Sequence, residues 1–166
     1  MTDVKKYMVL FVCSGNTCRS PMAEYALRML LEKERPGQTE AASAGTLGLR
    51  NQPATLYAQE AARIWDLDLS QHHSQGLTSE LIARADLIFA MTSDHYAEIV
   101  RLDRRAADKT YLLKCFPDKS SDGESVADPI GMDLEYYNEV FLEIGEYLGK
   151  HLPEIVKLID SKRDGR

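Results

Sequence analysis

The sequence predicts an α/β fold, a parallel sheet with helices on both faces, from three features. Apolar runs rich in β-branched residues recur without polar alternation, as strands buried on both faces require. Segments with apolar residues at helical spacing separate them. Gly, Pro and Ser/Thr residues punctuate the junctions, where strands end and helices begin. Strands that alternate with helices pair in parallel and carry helices on both faces. The length of 166 residues suits one domain, 1–166, with a substantial core.

The first strand is "YMVLFVC" (7–13), a continuous apolar run. Lys5 and Lys6 precede it, but the run is too short for a signal sequence and lacks a small-residue cleavage site. "SPMAEYALRMLLEKE" (20–34) places Met22, Ala26, Met29 and Leu30 at helical spacing and ends near Pro36-Gly37. Pro21 suits a first helical position, where a missing N–H costs nothing. "TEAASAGT" (39–46) is the second strand, and 53–68 is a helix with Pro53 at its start. Residues 78–85 form a short helix capped by Thr78 or Ser79. "DLIFAM" (86–91) is the third strand, followed by a helix over 92–102 capped by Thr92 or Ser93. "KTYLLKCF" (109–116) is the fourth strand, which makes the sheet four-stranded. The polar loop 117–132 is long enough to suggest a functional role. Residues 133–159 read as a long amphipathic helix, kinked near Gly149 and Pro153, and 160–166 as a frayed tail.

The net charge of −6 argues against non-specific nucleic-acid binding and against an anionic membrane surface. No segment reaches the length needed to span a bilayer. Three cysteines make an odd count that does not suit a disulfide scaffold, and a cytoplasmic, reducing location follows. The sequence leaves the oligomeric state open.

The chemistry concentrates in "CSGNTCRS" (13–20). Ligands of parallel α/β sheets bind beyond the C-terminal ends of strands, and Cys13 lies there, where strand passes into helix. Successive loop amides at a helix N-terminus form an anion-binding nest. The same field, with Arg19, is expected to lower the Cys13 pKa and favour the nucleophilic thiolate. A cation in the first turn opposes the helix dipole, so Arg19 implies an anion in the working state, gripped as a bidentate fork. Neither Gly-x4-Gly-Lys-Ser/Thr nor Gly-x-Gly-x-x-Gly occurs, which removes nucleotide and dinucleotide loops. Cys13-x4-Cys18 has no second pair for zinc, and Cys-x-x-Cys is absent. No metal and no cofactor are expected.

"VLFVCSGNTCRSPMAE", with Cys-x5-Arg-Ser near the N-terminus, together with "ADPIGM" and its Asp128-Pro129, resembles the low-molecular-weight protein tyrosine phosphatase family over nearly the whole chain. The resemblance implies a four-stranded parallel sheet flanked by helices and a phosphorylated protein substrate. It implies that Cys13 attacks phosphorus and becomes a phosphocysteine. Arg19 and the amides of the phosphate loop (Ser14, Gly15, Asn16, Thr17, Cys18 and onward) hold the phosphoryl oxygens. Ser20 donates to the Cys13 thiolate, and Asp128 is general acid and then base. Asn16 holds a left-handed turn supported by Ser43 and His72, with His73 as the adjacent alternative to His72. Asp118, Asp122 and Asp133 are neighbours that compete with Asp128 for the acid's role.

Thr17 and the mouth residues Leu47, Leu49 and Ile130 bear on the substrate. Members acting on phosphotyrosine usually carry Ile or Leu where Thr17 stands; where Ile130 stands an aromatic is usual in members of either preference, so Ile130 departs from both. "GNTCRS" resembles the bacterial protein arginine phosphatases of the same family, so phosphoarginine is favoured over phosphotyrosine. A thioredoxin-coupled arsenate reductase would need further mid-chain cysteines, and 85–103 has none; Cys115 reads as a core residue. A non-catalytic phosphoprotein-binding module fits poorly with a full set of chemical groups. Cys18, beside the nucleophile, could form a protective disulfide with Cys13 or simply pack.

Overall fold

Seven consecutive buried residues put the first strand at the centre of the sheet. The computed structural model describes residues 5–120 and 123–165. Its strands are β1 (Tyr7–Cys13), β2 (Thr39–Gly45), β3 (Leu87–Ala90) and β4 (Thr110–Leu112). Its helices are α1 (Arg19–Glu34), α2 (Leu56–Arg63), α3 (Ser79–Arg84), α4 (Ser93–Leu102) and α5 (Leu134–Asp164), with a 3-10 turn over Arg104–Lys109. The four strands are parallel in the order β2-β1-β3-β4.

Alternate side chains of β1 face opposite sides of the sheet. Tyr7, Val9, Phe11 and Cys13 join one core with Met22 and Leu27 of α1, Ala58 and Ala62 of α2, and Ile144 and Leu148 of α5. Met8, Leu10 and Val12 join the other, with Ile82 of α3, Ile99 of α4 and Ala106. The chain leaves β1 toward β2 on one side and later returns to β3 on the other. That reversal opens a crevice beyond the C-terminal ends of β1 and β3, where such folds bind ligands. The loop after Cys13 and the start of α4 both border it.

Several boundaries differ from the sequence reading. β4 stops at Leu112, because the amides of Cys115 and Phe116 both turn back to the Leu112 carbonyl. Beyond it only the Leu113 amide still reaches β3, at the Ala90 oxygen, and Phe116 packs edge-on against Phe89 and Tyr111. Cys115 is half-buried, at the margin of the second core. α2 begins after Thr55, whose hydroxyl accepts from the Ala58 amide at 3.2 Å, and not at Pro53. It ends at Arg63, with Asp66 in the left-handed region at φ 59°.

α5 is continuous through Gly149 and Pro153 and reaches Asp164. The expectation of a frayed tail from 160 is therefore corrected for residues 160–164, which continue the helix. Ile159 is buried, Asp160 takes a two-pronged pair from Arg35 at 2.7 and 2.8 Å, and Lys162 pairs with Asp86. Among the described residues no helix is long and apolar enough to cross a membrane.

Candidate active site

The loop from Ser14 to Cys18 is shaped by one residue in an unusual conformation. Asn16 sits at φ 57°, a left-handed region that Asn tolerates better than most residues. Every polar atom of Asn16 that can hold the turn is engaged. Nδ2 donates to Ser20 Oγ at 2.8 Å and to Ser43 Oγ at 2.9 Å. Oδ1 accepts from the Gln75 amide at 2.9 Å, and the backbone oxygen lies 2.7 Å from His72 Nε2. His72 is buried and His73 is not, so it is His72 that meets the loop. Gly45, at the end of β2, lets the loop pack this closely: a Cβ there would sit 2.6 Å from the Ser14 oxygen.

The network leaves one hydroxyl hydrogen available to the sulfur. Ser43 Oγ donates to Glu24 Oε1 at 2.6 Å, leaving its lone pairs for Asn16. Ser20 Oγ accepts from Asn16 and lies 2.8 Å from Cys13 Sγ, so its hydrogen is available to a thiolate there. Glu24 in turn pairs with Arg28. A hydroxyl aimed at the sulfur favours a thiolate.

The expected lowering of the Cys13 pKa is not what the free site gives. Burial pushes the thiol up, and this outweighs the downward pull of the Ser20 hydroxyl, the Arg19 guanidinium and the Ser20 and Asn16 backbone hydrogen bonds. The sequence shows the stabilising charges but not that Cys13 is almost wholly cut off from water.

Arg19 opens α1 with its side chain only 5% exposed. Nη1 donates to the Val126 oxygen at 3.1 Å, and Nη2 lies 3.5 Å from Asp128 Oδ2. Asp128 is 46% exposed, and its Oδ1 accepts from the Ile130 amide at 3.1 Å. The structure thus brings Cys13, Ser20, Arg19 and Asp128 into one connected cluster. Of the competing carboxylates, Asp133 caps α5 by accepting from the Tyr136 amide, Asp118 is exposed, and Asp122 lies outside the described residues. Leu47, Leu49 and Ile130 are all exposed, at 68%, 43% and 59%.

Cys18 faces a different direction from Cys13's hydroxyl partner. Its sulfur lies 3.4 Å from Tyr137 Oη and 3.5 Å from Thr55 Oγ1. All three cysteines are free. Among the described residues no group of three or more His, Cys, Asp and Glu side chains gathers as a metal-ligand set.

Four contributors were missed from sequence: Glu24, Gln75, Tyr137 and His95. His95 had a signal. It follows a strand end by one helical turn, in "MTSDH", at the crevice that parallel folds use. His95 is buried, with Nε2 2.9 Å from Ser14 Oγ and Nδ1 3.1 Å from Thr92 Oγ1. Burial first, then the nearby Arg19 charge, lowers its pKa to about 4, against the opposite pull of Asp94 and Asp128.

This depression has a stability consequence. The unfolded chain binds a proton at His95 below about pH 6.5 while the folded chain does not until about pH 4, so stability falls as pH drops through that window. From pH 7.5 to 5 the loss attributable to His95 is on the order of 2 kcal/mol, or roughly 4–8 °C in Tm. Thermal melts at the two pH values should show His95→Gln losing less than the wild type over the same step.

A buried thiol and guanidinium on one loop, with a half-exposed carboxylate beside the guanidinium, on a β2-β1-β3-β4 parallel sheet, mark a protein phosphatase. The chain belongs to the low molecular weight phosphotyrosine protein phosphatase family, which it matches over residues 8–162. It is 36% identical over 150 residues to a protein-arginine-phosphatase of Bacillus subtilis (strain 168), covering 90% of this chain and 97% of that one. It is 32% identical over 141 residues to the low molecular weight protein-tyrosine-phosphatase Etp of Escherichia coli (strain K12), covering 85% and 89%. Among solved structures, a cysteine-to-serine mutant of YwlE arginine phosphatase with its active-site serine phosphorylated superposes with TM-score 0.80 at 36% identity, over 91% of this chain and 99% of that one.

Proposed function

We propose that this phosphatase removes a phosphoryl group from protein side chains through a phosphocysteine on Cys13, and that it prefers phosphoarginine to phosphotyrosine. In the first step the Cys13 thiol gives its proton to a phosphoryl oxygen of the incoming substrate, and the thiolate sulfur forms a bond to phosphorus as the P–N or P–O bond breaks. Asp128 gives its proton to the leaving atom. Arg19 and the loop amides hold the oxygens on which charge is spread, and Ser20 steadies the sulfur. In the second step water attacks phosphorus, the S–P bond breaks, and the water proton passes to Asp128. The contact between Arg19 and Asp128 supports this division of roles, since it keeps the acid beside the place where the phosphoryl oxygens are gripped.

Thr17 is the observation that carries the arginine reading. Its hydroxyl and Leu49 both approach Gly15: a Cβ placed there would lie 3.5 Å from Thr17 Oγ1 and 3.7 Å from Leu49 Cδ1. A polar, narrowing group there suits a planar guanidinium, and Asp128 can pair with that donor group. A relative 36% identical that bears the name protein-arginine-phosphatase supports the same choice. The second reading, phosphotyrosine, is favoured by Tyr57, which is 43% exposed and packs edge-on against Tyr137 at 5.6 Å, beside Cys18. The free thiols suit a reducing location, and we assign the protein to the cytoplasm.

Matched phosphoarginine and phosphotyrosine peptides provide the test. The wild type should show the higher kcat/KM on phosphoarginine, and Thr17→Ile should move the ratio toward phosphotyrosine by about tenfold or more. A wild type that prefers phosphotyrosine would overturn the arginine assignment and leave the phosphatase chemistry standing.

A further inference from the structure

The mechanism above makes no use of the buried His95. It joins α4 to the phosphate loop across the crevice between β1 and β3. Ser14, the residue after the nucleophile, lines the same open depression as Arg19, Thr46, Thr92, Asp94, His95 and Glu98. A hydroxyl placed there serves an anion only if it presents its hydrogen; if it presents lone pairs, it repels the phosphoryl oxygens. Which it presents depends on the hydrogen bond it makes behind the loop, and that partner is His95 Nε2 at 2.9 Å.

Thr92 can hold one tautomer of His95. Its Oγ1 accepts from the His95 amide at 3.3 Å as the cap of α4. Its hydroxyl hydrogen can be given to His95 Nδ1, 3.1 Å away. With Nδ1 accepting, Nε2 carries the hydrogen and donates to Ser14 Oγ. The Ser14 hydrogen is then free to face the depression. In the opposite tautomer Ser14 would spend its hydrogen on Nε2 and turn lone pairs toward the anion. The first arrangement is the one that suits an anion in front of Ser14, and it uses the Thr92 hydroxyl as a donor within the protein.

We propose that His95 is a positioning residue of the phosphatase reaction, which holds the Ser14 hydroxyl as a hydrogen-bond donor to the transferred phosphoryl group. It acts through Ser14 and does not touch the substrate. The charged groups that face it are Arg19 from α1, Asp128 from the loop before α5, and Asp94 on its own helix; Glu98, one turn on, lines the same depression. Burial and the Arg19 charge together keep His95 neutral at neutral pH, as a fixed tautomer requires. The inference rests on the reading of residues 13–20 as the phosphate loop.

The test is a double-mutant cycle on the full chain, with an aryl phosphate as substrate and inorganic phosphate as competitive inhibitor. Wild-type turnover comes first: a wild type that neither turns over aryl phosphate nor binds phosphate removes the phosphate-loop reading and this inference with it. Given an active wild type, Ser14→Ala and His95→Leu should each lower kcat/KM by on the order of tenfold and weaken phosphate inhibition in parallel. The double variant should be no worse than Ser14→Ala alone. His95→Gln, whose Nε2 can donate to Ser14, should recover most of the loss even if His95→Leu folds poorly. Additive effects, or His95→Gln losing as much as Ser14→Ala, would overturn the proposal with the phosphatase activity intact.

Discussion

Cys13→Ser is expected to lower kcat on an aryl phosphate by about 10⁴-fold or more while leaving phosphate binding in place. The two halves of this result have separate causes. A serine hydroxyl at this site has no base beside it: its neighbour is Ser20, itself a neutral hydroxyl that accepts from Asn16. The new Oγ therefore keeps its proton and attacks weakly. Binding depends instead on Arg19 and on loop amides whose geometry is set by Asn16, Ser43, Gln75 and His72, none of which involves the sulfur. Steady-state kinetics with inorganic phosphate as inhibitor separates the two. Turnover that survives Cys13→Ser would rule out Cys13 as the nucleophile.

Arg19→Ala has a different signature, with substrate binding and turnover lost together and kcat/KM reduced by about 10³-fold or more. The guanidinium is nearly buried, donates to the Val126 oxygen and lies beside Asp128. Removing it takes away the fork that would hold two phosphoryl oxygens. It also leaves the Val126 carbonyl unpaired and releases the acid's position. Arg19→Lys should recover little, because an ammonium cannot span the carbonyl, the carboxylate and the phosphoryl oxygens from one rigid plane. Competitive inhibition constants for phosphate, measured beside kcat/KM for both variants, read this directly. A lysine variant within about threefold of wild type would mean that Arg19 acts as a point charge rather than as a fork.

Much of this was readable in the chain, for physical reasons. Fully buried strands leave unbroken apolar runs, so β1 and β3 were found almost to the residue. The cap residues Thr78 and Thr92 mark their helices because the orphan amides need them. Cys13 and Arg19 declare themselves through local spacing. The end of β4 did not, because Leu113 and Phe116 are buried in a turn and apolar burial alone does not distinguish a turn from a ladder. The order of residues 160–164 depends on Arg35 and Asp86, far away in sequence. The same long range hid His95, Gln75 and Glu24, which reach the loop only once β2 and β3 flank β1. The net rise of the Cys13 pKa was hidden for a related reason: charges can be counted in a sequence, whereas exclusion of water is a property of the packed core.

The covalent step itself can be observed. In Asp128→Asn the second step should slow more than the first when the leaving group is good, since formation of the intermediate then needs little protonation while its hydrolysis still needs a base. Mixing this variant with an aryl phosphate, quenching rapidly and mapping the peptides by mass spectrometry should find one phosphoryl group on the peptide that bears Cys13. The modification should be absent from the same peptide in Asp128→Asn/Cys13→Ser. A burst of released phenol with no phosphoryl group on Cys13, or a phosphoryl group on any other residue, would contradict nucleophilic catalysis by this thiol.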